Sequence, residues 1–175
     1  SLIFPMIAAY MEKATPQTIS FPRAGQYVVE FDDAHHVLNV FINPDKNFQG
    51  YSLEENVLYY GPGVHYENER VQLESGQTVL IDEGAVVYGG IYAYKADDVT
   101  VCGRGILDSS LIPRGDELTE EDELYKELKS LGLTHRDICL VTGFNAYECN
   151  NFTAEGIVLR DAPFWTVIIR SPNLF

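Results

Sequence analysis

Asn150-Asn151-Phe152-Thr153, running on to Arg160-Asp161-Ala162-Pro163-Phe164-Trp165-Thr166-Val167, echoes Asp97-Asp98-Val99-Thr100, running on to Leu107-Asp108-Ser109-Ser110. Each copy sets a polar pair ahead of a β-branched or aromatic pair, and each carries an aspartate eleven positions on, 97 to 108 and 150 to 161. A further copy begins at Pro172-Asn173-Leu174-Phe175, 22 positions after the second. The chain stops there, which reads as a repeat interrupted part-way.

Working outward, Gln77-Thr78-Val79-Leu80-Ile81 and Gly84-Ala85-Val86-Val87-Tyr88-Gly89 align with Asp98-Val99-Thr100-Val101-Cys102 and Gly105-Ile106-Leu107 at an offset of 21. A period in the low twenties is too short for paired helices and suits short strands joined by tight bends. The strand residues are β-branched and aromatic, and the Gly, Asp and Asn between them tolerate the positive φ that sharp corners need. The expected fold is all-β, a parallel β-helix with strands stacked about 4.8 Å apart and inward side chains forming one apolar column.

The two best copies lie 53 residues apart, so an insertion, 111–137, is expected between them. Within it Leu118 to Gly132 predicts a helix. Thr119 and Asp122 resemble a capping box, Leu124, Leu128 and Leu131 share a face, acids lead and lysines trail, and Gly132 stands where a C-cap belongs. Ile138-Cys139-Leu140-Val141 reads as a strand returning to the repeat. Ahead of all this, Gln26 to Phe31 and Val37 to Phe41 alternate as strands do, with Pro22-Arg23-Ala24-Gly25 and Asn43-Pro44-Asp45 as turns. Residues 1–55 are therefore expected to form a small antiparallel β unit with its connector, and 56–175 the repeat region.

Composition sets bounds on function. With 175 residues, 46% of them hydrophobic, the chain can bury a sizeable core. A net charge of −14, from 26 acids and 12 bases, argues against nucleic acid or an anionic membrane as partner. Cys102, Cys139 and Cys149 have no Cys-x-x-Cys spacing and read as buried thiols rather than a zinc site or a disulfide frame. No metal and no cofactor is expected. No run is long enough to span a membrane. A start at Ser1 leaves room for a removed signal, placing a secreted or periplasmic location ahead of a cytoplasmic one.

Val87-Tyr88-Gly89-Gly90, Gly103-Arg104-Gly105-Ile106-Leu107-Asp108 and Gly156-Ile157-Val158-Leu159-Arg160-Asp161-Ala162-Pro163-Phe164-Trp165-Thr166 together resemble the polygalacturonase-like glycoside hydrolases of family 28, in the pectin-lyase-like superfamily. The likeness runs from about Val57 to Phe175. The leading β unit followed by Tyr60-Gly61-Pro62-Gly63-Val64-His65 is also similar to the family 49 dextranases and isopullulanases. Either resemblance implies a right-handed parallel β-helix that hydrolyses an α-linked polysaccharide with inversion, using an acid and a base set apart to admit water. The family signatures Asn-x-Asp, Asp-Asp, Gly-His-Gly and Arg-x-Lys would follow the Trp-containing segment, and none follows Trp165. No catalytic residue is carried over. The acid and base are expected beyond Phe175, and this chain by itself is expected to be inactive.

Trp165, Arg160, Arg170, Asp161 and His135 are the candidate substrate-binding residues. Trp165 offers an aromatic face to a sugar ring, set against ordinary packing. Arg160 and Arg170 suit a carboxylated sugar, set against solvated surface arginines. Asp108 and Asp161 share a repeat position, so stacked carboxylates marking a substrate face are weighed against turn residues that accept backbone N–H bonds. His135 ends the insertion, where a loop reaches over a groove. Asp97-Asp98 reads as turn chemistry, since Asn150-Asn151 occupies the same place. A polysaccharide lyase, and a non-catalytic carbohydrate-binding or structural module, are the alternatives. The sugar, the linkage and the oligomeric state stay open.

Overall fold

The computed structural model describes residues 18–31, 33–48, 55–139 and 143–170, in two compact units, Ser1–Lys46 and Asn47–Phe175. In the first unit β1 (Gly25–Phe31) and β2 (Asp33–Ile42) pair antiparallel from Gly25↔Ile42 to Glu30↔Val37, with a register shift at Glu30/Phe31. Tyr27 Oη donates to the Arg23 carbonyl at 2.7 Å and closes the turn that leads into β1.

The second unit is built on two parallel sheets. One orders β10 (Thr153–Glu155), β7 (Thr100–Gly103), β5 (Thr78–Ile81) and β3 (Val57–Tyr60). The other orders β11 (Val158–Arg160), β8 (Ile106–Asp108), β6 (Ala85–Tyr94), β9 (Phe144–Tyr147) and β12 (Ile168–Arg170), with β4 (Gly63–Leu73) paired to β6. Period-2 alternation sends Val79, Ile81, Val87, Ile91, Ala93, Val101, Leu107, Phe144 and Ala146 into one core, where all are buried. On the far side of the four-stranded sheet Leu80 and Cys102 are sealed by Phe48, with Val57 packed against them.

The insertion supplies a third layer. It holds a 3-10 turn at Gly115–Glu117 and two helices, α1 (Glu123–Ser130) and α2 (His135–Cys139). Thr119 Oγ1 and N both donate to Asp122 at 2.7 Å, closing the turn before α1, and Gly132 at φ +88° terminates it. Thr134 and Asp137 form the reciprocal arrangement at α2: Thr134 N and Oγ1 donate to the Asp137 carboxylate, and Asp137 N donates back to Thr134 Oγ1. Ile138 and Cys139 are thus helical, not a returning strand, and Leu140 and Val141 lie outside the described residues. The strand beyond the insertion is β9.

The expected all-β, right-handed parallel β-helix is corrected to an α/β-like arrangement, in which the described residues of the second unit form two parallel sheets and two helices. A single offset of 21 does not describe the pairing. Thr78 pairs with Thr100, an offset of 22, whereas Val86 pairs with Ile106, an offset of 20. The ten-residue β6 is shared along its length, joining β4 on one side and both β8 and β9 on the other. The helices moreover contribute an apolar cluster of their own, with Tyr125, Leu128, Leu133 and Ile138 buried against Tyr92 and Tyr147.

The polar pairs meet as the 53-residue spacing demands. Asn150 N and Nδ2 both donate to Asp97 Oδ1 at 2.9 Å, and Asn151 Nδ2 donates to Asp98 Oδ1 at 2.9 Å. Asp98 and Asn151 share a left-handed backbone, φ 58° and 54°, so these residues are spent on a stacked corner. Cys102, Cys139 and Cys149 are free thiols, the first and last buried. Among the described residues no helix is long and apolar enough to cross a membrane.

Candidate functional site

Alternation that buries Leu107 and packs Leu159 against the core turns Asp108 and Arg160 to the outer face of the six-stranded sheet. Tyr66 pairs with Tyr88, Tyr88 with Asp108 and Asp108 with Arg160, so four consecutive strands carry one row of side chains. Tyr66 and Tyr88 stack with centroids 5.2 Å apart and planes 10° from parallel, and Tyr66 is 65% exposed. Arg160 Nε donates to Asp108 Oδ2 at 2.6 Å, and its Nη2 also pairs with that oxygen. Asp161 does not stack on Asp108. It stands one residue past the row at φ 50°, exposed, with Oδ2 3.6 Å from Arg160 Nε.

Burial of Asp108 works to raise its pKa, and hydrogen bonds from Ser110 with the Arg160 pair outweigh it, holding the carboxyl below its ordinary value. A depressed folded-state pKa contributes stability that is fully present above the unfolded value and is lost as pH falls through the folded one. Asp108→Asn is therefore expected to cost about 2–3 kcal/mol at pH 7. Urea denaturation of both proteins should show the gap narrowing on acidification below the ordinary aspartate value of 3.8. A gap that persists unchanged to pH 2 would show that the charge is not what the pair contributes.

Beyond β11 the chain bends at Pro163-Phe164 and presents two aromatic rings. Phe164 and Trp165 meet edge to face at 5.7 Å and 86°, Trp165 is 60% exposed, and the Arg114 guanidinium lies 5.6 Å from the Phe164 centroid. Arg114 is also held by Asp116, with Nε 3.0 Å from Oδ1. Arg160 closes the row with Asp161 beside it, and Trp165 follows in the segment that leaves β11.

The other two candidates lie at the insertion. Arg170 of β12 pairs with Asp137 of α2 and sets its guanidinium 5.5 Å from the Tyr147 centroid. Tyr94, Leu133, Asp137, Tyr147, Glu148 and Arg170 line a cleft of about 230 Å³ between sheet and helices. Lys95 flanks it, 5.0 Å from the Tyr94 centroid and 3.7 Å from Glu148. His135 faces α1 instead, its Nδ1 3.2 Å from Tyr125 Oη and its Nε2 3.6 Å from Cys139 Sγ. Asp137 resembles Asp108: burial raises its pKa, and Thr134 and Arg170 prevail in lowering it.

Tyr66, Tyr88, Phe164, Arg114, Tyr94 and Tyr147 complete these surfaces and were not singled out by sequence reasoning. Tyr88 was within reach of it, since an offset of 20 rather than 21 puts it beside Asp108. Arg114 had no signal, because its meeting with Phe164 is a contact between segments fifty residues apart.

No protein-family model matches the chain, and no curated protein matches it. Among solved structures, a 1.95 Å crystal structure of a Parabacteroides merdae protein provisionally named a glycosyl hydrolase is similar at 23% identity with a TM-score of 0.46. The match covers 65% of this chain and 55% of that one, so this chain spans little more than half of that structure.

Proposed function

We propose that the chain is part of a glycoside hydrolase acting on an α-linked polysaccharide, of polygalacturonan type or a related glycan, and that these residues hold the sugar. Trp165 carries this reading, since it is 60% exposed and edge-on to an exposed Phe164, a few residues along the chain from the Asp108–Arg160 pair. Sugar rings offer apolar C–H faces to aromatic planes and hydroxyls to charged neighbours, and these residues present both. The Tyr66–Tyr88 stack supplies a second platform on the same sheet. Arg160 and Asp161 lie at the end of the tyrosine row, while Arg170 and His135 belong to the insertion side. The motif resemblance supplies the reaction type, inverting hydrolysis.

Proton donation is assigned elsewhere. A general acid needs a carboxyl held protonated near neutral pH, whereas Asp108, Asp116, Asp122 and Asp137 are all shifted the other way by their partners. Arg114 and Arg160 are engaged by Asp116 and Asp108, and the chain carries −14 overall. Neutral α-glycans should therefore bind at least as well as polygalacturonate at low salt.

Calorimetric titration of polygalacturonate, dextran and a neutral α-glucan into wild type and Trp165→Ala checks the reading. The variant should bind roughly three- to tenfold more weakly, with its melting temperature unchanged. Equal affinity in both proteins, or no binding of any glycan by wild type, would remove its basis.

A further inference from the structure

The helical insertion rests on the outer face of the six-stranded sheet, with Tyr125, Leu128, Leu133 and Ile138 packed over Tyr92 and Tyr147. A cation reaches into this region. Arg70 follows the register break in β4 and pairs with Gly90, and its stem crosses that glycine, where a Cβ would stand 3.0 Å from Arg70 Cγ and 3.1 Å from the Gly143 carbonyl oxygen. A side chain at position 90 would press on the arginine stem and on the Gly143 carbonyl, and glycine relieves both contacts. The guanidinium arrives within electrostatic reach of Tyr147 and Tyr92 on the sheet and of Glu127 on α1.

Its three nitrogens are buried and have no hydrogen-bond partner among the described residues. The same is true of the hydroxyls of Tyr92 and Tyr147. Burial lowers the Arg70 pKa to about 10, partly offset by Tyr147, Tyr92 and Glu127, so the group remains a cation at neutral pH. A guanidinium carries five N–H donors and no acceptor, and each tyrosine adds an O–H. Buried donors are normally satisfied, and an uncompensated buried charge is among the costliest things a fold can hold. This cluster has donors in excess, and among the described residues Glu127 acts on it through its charge without a hydrogen bond to the guanidinium. The planar fork of a guanidinium matches two oxygens of one oxyanion, and tyrosine hydroxyls suit a third contact. Tyr147 also lines the cleft shared by Tyr94, Asp137 and Arg170, which brings solvent to its edge.

We propose that Arg70, Tyr92 and Tyr147 form a buried site for a small oxyanion, a carboxylate, sulfate or phosphate, beneath the helical insertion. The site shares no residue with the candidate sugar-binding set and does not depend on the carbohydrate reading. Its occupant would tie the insertion to the sheet by accepting the hydrogen bonds that Arg70, Tyr92 and Tyr147 do not make among the described residues.

The test uses the full chain freed of oxyanions, with thermal unfolding followed in sulfate, phosphate or acetate against chloride at matched ionic strength. A ligand that binds only the folded state should raise the melting temperature by roughly 5–10 °C at a hundredfold excess over its Kd. Arg70→Met should abolish the rise, and because an apolar isostere can replace a buried charge without loss, its stability in chloride should equal or exceed that of wild type. Should Arg70→Met fail to fold, Tyr92→Phe/Tyr147→Phe removes only two hydroxyls and should weaken the response about tenfold. Glucuronate compared with glucose separates the sources: a response to glucuronate but not glucose assigns the site to a sugar-borne carboxylate, and a response to sulfate or phosphate alone assigns it to a free ion. No rise with any oxyanion over chloride, or a rise that Arg70→Met or the double variant retains in full, overturns the proposal.

Discussion

Replacing Gly103 by alanine should lower the unfolding free energy by about 3–5 kcal/mol, the sum of a strained backbone and an overpacked contact. Gly103 ends β7 at φ +133°, a conformation that L side chains rarely adopt, and it pairs with Ile81 of β5. A Cβ there would run into the Ile81 carbonyl, and it would stand 3.0 Å from the Ile81 nitrogen. The obstacle is backbone, fixed by the parallel ladder on both sides, so no rotamer change relieves it. Gly76 is the control, at φ +78° with nothing within 4 Å of its Cβ position. Gly76→Ala carries the conformational cost alone, about 1 kcal/mol. Chemical denaturation of the two variants should separate them by about 2 kcal/mol or more, and similar losses in both would mean that the strands approach less closely at Gly103 than the geometry states.

Phe144→Ala should cost about 3–5 kcal/mol, the range for deleting a large aromatic side chain from a packed interior. Phe144 is 2% exposed, opens β9, pairs with Ile91 of β6 and meets Phe152 edge to face at 5.6 Å. It sits where the chain rejoins the sheet after the insertion, so the loss also loosens the anchor of α1 and α2. Leu111, 63% exposed in the same insertion, provides the comparison, and its replacement by alanine should change stability by no more than about 0.5 kcal/mol. Thermal or urea unfolding decides the matter. A Phe144→Ala loss below about 1 kcal/mol would place the core elsewhere.

Local chemistry was the part of this molecule that could be read one residue at a time. The polar pairs 97–98 and 150–151 stack as their spacing demands, because a left-handed corner admits few side chains other than Asn, Asp and Gly. The leucines at 124, 128 and 131 mark the buried side of α1 for the same kind of reason: helical period leaves a visible trace. The second helix was missed even though Thr134 and Asp137 carry the same signal as Thr119 and Asp122. The β-branched and thiol run that follows them has strand propensity, and a five-residue helix is too short for periodicity to outvote it.

The fold class was misread through register. An average period of 21 conceals offsets of 22 in one sheet and 20 in the other, and a slip of one residue exchanges the two faces of a strand. Carried on unchanged from the polar pairs, the 53-residue spacing set Asp108 beside Asp161. The actual offset of 52 sets it beside Arg160, replacing a stack of like charges by an ion pair.

By itself the amino-acid sequence determined the short punctuated strands, the corners between them, the first inserted helix and the acidic balance, because each depends on the conformational preferences and charges of neighbours along the chain. Only the tertiary structure decided which strands share a row, that Arg160 covers Asp108, that Arg114 reaches Phe164 and that the Arg70 guanidinium is buried near Tyr92 and Tyr147. Those outcomes are set by packing between segments twenty to more than fifty residues apart, where a one-residue difference in pairing carries little energy locally and reverses which side chains meet.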